Sequence, residues 1–233
     1  MTTNDVILKK WNTWFGTVYN DIVTVHYCRM IYRDVGSMVT ANPAIQKPSS
    51  FYDVFGRSYV ALVVMIVRRQ CDDRGDSISL MRLLHDISLH PEVVSRQRFH
   101  QFYKGSLLSE AAIDADFETA GVGAGRDFMD PKMVEADVQA LKSKTAIVHM
   151  YANKVIAHID VQASATEVPT FGELDDSIDE LARLCQKYSL LLSGGGILSL
   201  EPVIQYDWQA VFRVPWMVEP LGEHSQGRNP HVS

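Results

Sequence analysis

Apolar residues return every three or four positions through most of this chain, and that spacing constrains the fold more than any other feature. The clearest run is Val134, Val138, Leu141, Thr145, Val148, Ala152 and Val155, which predicts one continuous helical seam packed against a bundle. It opens at Asp130-Pro131, an N-cap followed by a proline at the first helical position. From Asn4 to about Val39, Trp11, Trp14, Phe15, Val18, Ile22, Val25 and Met30 predict a long amphipathic helix bent near Gly36. A second helix, capped by Ser49 or Ser50, turns Tyr52, Phe55, Tyr59, Leu62, Val63 and Ile66 inward and ends in the turn around Asp72 to Asp76. A third, capped by Ser77 or Ser79, carries Leu80, Leu83, Leu84 and Ile87 and stops at Pro91, and a fourth covers Val93 to Tyr103. Residues 104 to 130 read as a short helix plus loops. The acidic turn Glu173 to Asp176 opens a last helix through Leu181, Leu184, Tyr188 and Leu191, closed by Gly194-Gly195-Gly196.

These elements contain no repeat and no alternation of strand with helix, so the expected fold class is all-α, an antiparallel helical bundle with extra helices and loops. With 233 residues and 46% hydrophobic content the chain can bury one full core. A single domain over residues 1–221 is expected, with 222–233 as a disordered tail and the aromatic stretch from Pro202 to Val218 packed on the bundle. The amino terminus has neither the apolar run nor the cleavage site of a secretion signal, and the best membrane candidate, Tyr59 to Val67, is too short to span. Three widely spaced cysteines, Cys28, Cys71 and Cys185, suit reduced thiols and a cytoplasmic setting. A net charge of −6 argues against coating duplex nucleic acid through bulk electrostatics but leaves room for a local basic site.

Several constellations carry little. Gly121-Val-Gly123-Ala-Gly125 lacks the preceding strand and the Lys-Ser/Thr ending of a phosphate loop. His85, His90 and His100 have no metal-site spacing, and neither a metal nor a cofactor is expected. The acidic cluster Glu173 to Glu180 reads as a solvated face that complements the helix dipole. Nothing polar converges on Trp208, Phe212 and Trp216 to make them a ligand pocket.

The end of the long seam is different. Tyr151, Asn153, Lys154, His158 and Asp160 put an amide, an ammonium, an imidazole and a carboxylate at a helix terminus, and His158 alone among them titrates, unperturbed, near neutral pH. In α-helical phase Tyr151, Lys154 and His158 share an edge, with Ala152 in the seam beside them. Such a patch binds a phosphodiester weakly without a second cation. The bland alternative is a boundary histidine. Arg69 and Asp72, three apart, are expected to pair on one helix face, although that arginine is also suited to a phosphate.

Arg69-Gln-Cys-Asp72 followed by Ser77-Ile-Ser79-Leu80-Met-Arg-Leu83-Leu84, together with Tyr151-Ala-Asn153-Lys154-Val-Ile-Ala157-His158, resembles the abortive-infection U-type branch of the HEPN superfamily. The resemblance implies a compact all-α bundle acting as a homodimer. It further implies a metal-independent endoribonuclease working as a toxin or in antiphage defence, with RNA as substrate and an antitoxin protein as a further partner. The family motif is an arginine, a polar residue, several spacers and a histidine; here Asn153 and His158 fill the polar and histidine positions, and Ala152 stands where the arginine belongs. On this resemblance His158 is the acid/base and Asn153 orients it or the phosphate. Lys154, Arg69 and Tyr151 contact substrate, and Asp72 is structural support.

Metal-free RNA cleavage needs a base for the ribose 2′-OH, an acid for the leaving oxygen and positive charge on the pentavalent phosphate. Alanine supplies none of that charge, and losing it costs on the order of two to three powers of ten in rate. Three explanations fit: a natural member that binds rather than cuts, another cation such as Arg69 or Lys154, or an engineered replacement. Asp160 occupies the position where one branch carries a tyrosine modified by a nucleotidyltransferase antitoxin, so that mode of neutralisation is not expected. The competing function class is a non-catalytic helical module that binds RNA or protein.

Overall fold

A computed structural model of the chain describes residues 2–156, 167–214 and 216. Among them are seven α-helices and no strand: α1 (Thr3–Ala41), α2 (Ser50–Gln70), α3 (Leu80–Leu89), α4 (Arg96–Phe102), α5 (Glu110–Phe117), α6 (Pro131–Tyr151) and α7 (Phe171–Ser193). The all-α expectation holds. The chain divides into two compact units, Met1–Pro202 and Val203–Ser233.

Local chemistry explains where the helices begin. Thr2 and Asp5 form a reciprocal capping box on α1, and Thr170 and Glu173 form another on α7. Single caps open the others, with Ser49 accepting from the Phe51 amide, Ser79 from Arg82 and Asp130 from Lys132. Helix α7 therefore starts two residues before its acidic run, at Phe171, with Glu173 inside the first turn. It ends at Gly194, whose φ of 70° places it in the left-handed region. Helix α1 continues through Gly36 as a single helical element. The expected fourth helix is split, with a 3₁₀ turn at Pro91–Val93 and α4 beginning only after the Ser95 cap.

The core lies where α6 packs on α3 and α7, and where α1 packs on α7 and α2. Val134, Val138, Leu141, Thr145, Val148 and Ala152 are all buried, as the seam predicts, and only its last member, Val155, is half-buried. On α2, Tyr59, Val63 and Ile66 are buried, whereas Tyr52 and Phe55 are half-buried and Leu62 is exposed. Tyr32 of α1 stacks on Tyr59 of α2 at 4.2 Å and lies 5.6 Å from the Phe171 ring at the start of α7, so aromatic faces tie three helices together. The acidic cluster of α7 is not simply solvated. Asp179 and Asp175 pair with Arg29 and Arg33 of α1 at 2.6 and 2.7 Å, and Glu180 is buried against Arg183.

A buried polar knot joins α6 to α7. The Asp137 carboxylate accepts from Lys187 Nζ at 2.6 Å, Tyr188 Oη at 2.9 Å and Arg183 Nη2 at 3.0 Å. Lys187 also accounts for one glycine of the 121–125 run: a Cβ on Gly121 would sit 2.7 Å from its Nζ, and Gly121 holds a φ of 92°. Gly121 marks a close backbone approach, whereas a Cβ on Gly125 would meet nothing within 4 Å. In the second unit Trp208–Arg213 is a 3₁₀ helix, Phe212 stacks on Trp216 at 5.6 Å, and Trp216 Nε1 donates to the Val211 carbonyl. The expected tail, 222–233, lies outside the described residues.

Candidate functional site

Helix α6 ends at Tyr151 and continues as a π-helical turn, Ala152–Ile156. A π turn closes with i→i+5 hydrogen bonds and so changes the phase of the side chains that follow. The α-helical phase expected to align Tyr151 with Lys154 therefore does not apply, and the expected place of His158 on that edge lies outside the described residues. The motif segment begins inside this widened turn. Ala152 is fully buried in the core, Asn153 and Lys154 are half-buried, and His158 and Asp160 lie outside the described residues.

Beside the turn is a cleft of about 920 Å³, lined by the carboxyl end of α2, the 71–74 turn, Thr24 of α1, and His149 and Asn153. Groups far apart in sequence tie the end of α2 beside it to α1, α3 and α6. Gln70, fully buried, donates to Asp21 of α1 at 2.6 Å and accepts from the Leu80 amide of α3 at 3.0 Å. The Cys71 sulfur lies 3.2 Å from the Thr145 hydroxyl of α6. Burial pushes this thiol up to about 11, so it stays protonated and packs rather than reacts.

The charged residues around the cleft are paired differently from expectation. Arg69 does not pair with Asp72: its Nε and Nη2 grip both carboxylate oxygens of Asp21, each at 2.6 Å. Asp72 instead accepts from Arg74 Nε and Nη2 at 2.9 and 2.7 Å, which holds its carboxyl below the usual range, and its carbonyl accepts from the Ser79 hydroxyl that caps α3. Asp72 thus shapes the turn. Tyr151 packs against the core, and neither it nor Lys154 lines the cleft.

The residue that sequence reasoning passed over is Arg68. Its Nε donates to Asn153 Oδ1 at 2.7 Å, joining α2 to the motif asparagine across 85 positions. The Arg68-Arg69 doublet at the end of α2 was visible, but only the packing of α2 on α1 decides which arginine turns to Asp21 and which to α6. His149, one turn before Asn153, also lines the cleft. Burial first, and then the Arg68 charge, lower its pKa, against a smaller pull upward from Asp72 and Asp73. A neutral imidazole, a guanidinium and an amide therefore share one open cleft. Among the described residues no group of three or more His, Cys, Asp or Glu side chains is gathered for a metal.

Such a set can hold an anion with planar oxygens and exchange protons beside it. A family model described as AbiU2, of the HEPN type, matches residues 8–211, nearly the whole chain. No curated protein and no solved structure matches.

Proposed function

This chain belongs to the AbiU2 family of HEPN proteins, the abortive-infection U-type branch, and from that premise we propose that it is a metal-independent endoribonuclease scaffold acting as a toxin in antiphage defence. It works in the cytoplasm as a homodimer on RNA and is restrained by an antitoxin protein. The observation that carries the reading is the cleft beside the π turn, where Asn153 is held by a guanidinium. In the reaction, the His158 imidazole takes the ribose 2′-OH proton, the 2′-oxygen attacks phosphorus, and the 5′-oxygen leaves with a proton from an acid. The products are a 2′,3′-cyclic phosphate and a 5′-hydroxyl end. With alanine at position 152 cleavage is slow or absent.

The homodimer has a candidate surface. Phe51, Val54, Leu62 and Met65 form an exposed stripe along α2, and Leu62 and Met65 are also wall of the cleft. Helix α2 is long and apolar enough to cross a membrane by length and composition, with 28% of its apolar window buried. Its inner face nevertheless belongs to the core of the bundle, and a second copy is the cover this reading assigns to the outer one.

The test is purified full-length protein with single-stranded RNA in EDTA. Ala152→Arg, expressed under tight control, is expected to arrest growth and generate RNA fragments that vanish in the Ala152→Arg/His158→Ala double variant. A folded Ala152→Arg protein that leaves RNA intact overturns the nuclease reading. A second reading, a non-catalytic helical module that binds RNA or protein, is favoured by one observation: Ala152 has no exposed surface. A guanidinium there is sealed among apolar groups unless it escapes to the cleft. Unfolding of Ala152→Arg favours that module.

A further inference from the structure

We propose that Arg68 is the phosphate-binding arginine of this cleft, standing in from α2 for the cation that Ala152 cannot supply. The inference rests on the RNA reading of the site and adds the group that meets the internucleotide phosphodiester.

Three arginines line the cleft, and their hydrogen bonds separate them. Arg69 spends Nε and Nη2 on Asp21, and Arg74 spends the same two atoms on Asp72. Both are closed ion pairs. Arg68 spends Nε alone, on a neutral amide, and neither Nη1 nor Nη2 has a partner among the described residues. The Arg68 charge is felt by Asp72 across the cleft, but among the described residues no carboxylate is hydrogen-bonded to this half-buried guanidinium, so both outer nitrogens are left for a ligand. That pair of nitrogens matches two phosphate oxygens in a fork.

The bond to Asn153 does more than anchor the arginine. An Arg Nε–H can only donate, so the amide must turn its oxygen toward Arg68, which leaves the Asn153 Nδ2 hydrogens as further donors. Nη1, Nη2 and Nδ2 then form one contiguous donor set at the π turn, with the neutral His149 imidazole lining the same cleft. Ala152, one residue before Asn153, is buried in the core. The positive charge at this site comes from a different helix from the motif.

The experiment measures binding of a short fluorescein-labelled single-stranded RNA to the full chain over a range of salt concentrations. The variants are Arg68→Gln, Arg68→Lys and Lys9→Gln, the last an exposed charge change remote from the cleft. Arg68→Gln is expected to bind about tenfold or more weaker and to flatten the slope of log K against log salt by about 0.7, the loss of one phosphate contact on a single strand. Arg68→Lys keeps the charge without the fork, so it recovers the slope and only part of the affinity. Lys9→Gln matches wild type. A purely structural role for Arg68 lowers the melting temperature and the active fraction but leaves the salt slope of the folded protein unchanged. Wild-type slope and affinity in both Arg68 variants overturn the assignment while leaving the RNA reading intact. Wild-type protein that binds no RNA overturns both.

Discussion

Replacing Asp137 with alanine tests whether the polar knot between α6 and α7 holds the helix that carries the site. The carboxylate is 6% exposed and accepts three hydrogen bonds, two of them from cations. Arg183 keeps Glu180 as a second partner at 2.7 Å, so it loses little. Lys187 has no such alternative among the described residues beyond the Tyr188 ring, and its side chain is only 12% exposed. Removing one member of a buried pair and stranding the other costs about 3–5 kcal/mol. The lower end applies here, because the lysine stem can carry its ammonium partway to solvent, and the Tyr188 hydroxyl adds about 1 kcal/mol by losing its acceptor. A loss near 4 kcal/mol lowers the melting temperature of a domain this size by roughly 8–16 °C. Urea unfolding followed by far-UV circular dichroism reads it directly. A loss under about 1 kcal/mol refutes the reasoning, since it means that Lys187 and Tyr188 find water as easily as they found Asp137.

Gln70→Ala removes a fully buried amide that bridges Asp21 and the Leu80 amide, and is expected to cost about 1–3 kcal/mol in urea unfolding. Gly194→Ala combines a left-handed φ of 70° with a Cβ only 2.6 Å from the Phe102 Cβ, so a loss of at least about 1 kcal/mol is expected, and a neutral result means α7 ends differently. His26 is buried, its Nε2 has no partner among the described residues, and burial followed by the Arg29 charge depresses its pKa from 6.5 to about 4. The unfolded state therefore binds more protons between those values, and the stability present above pH 6.5 drains as pH falls toward 4, by up to about 3 kcal/mol. Stability measured against pH should show that slope shrink in His26→Leu; an unchanged slope assigns the effect to carboxylates. Met65→Glu puts a charge on the outer stripe of α2 and is expected to shift a dimer toward monomer in sedimentation, with no change if that face stays open to water.

Much of the fold was legible because helices announce themselves locally. The Asp130-Pro131 start, the Ser77 or Ser79 cap and the Val134-to-Val148 seam are short-range patterns, and each corresponds to an observed cap or buried face. The site was legible only in outline. The segment from Tyr151 to Asp160 was singled out, and its Asn153 lines the cleft, but its π turn was missed because no spacing rule separates i→i+5 from i→i+4 bonding over five residues. The expected Arg69–Asp72 pair failed for a related reason. Three-residue spacing makes such a pair available only within a continuing helix, and α2 stops at Gln70, which left Asp72 in a turn with Arg74.

Read by itself, the chain determines its class, the starts of most of its helices, and the family it resembles, because periodicity, capping and short motifs are properties of neighbours along the backbone. Which arginine meets Asn153, which is consumed by Asp21, and that Ala152 lies sealed in the core were decided by tertiary packing. Those outcomes depend on how α2 is rotated between α1 and α6, and partners separated by 48 or 85 positions leave no periodic trace.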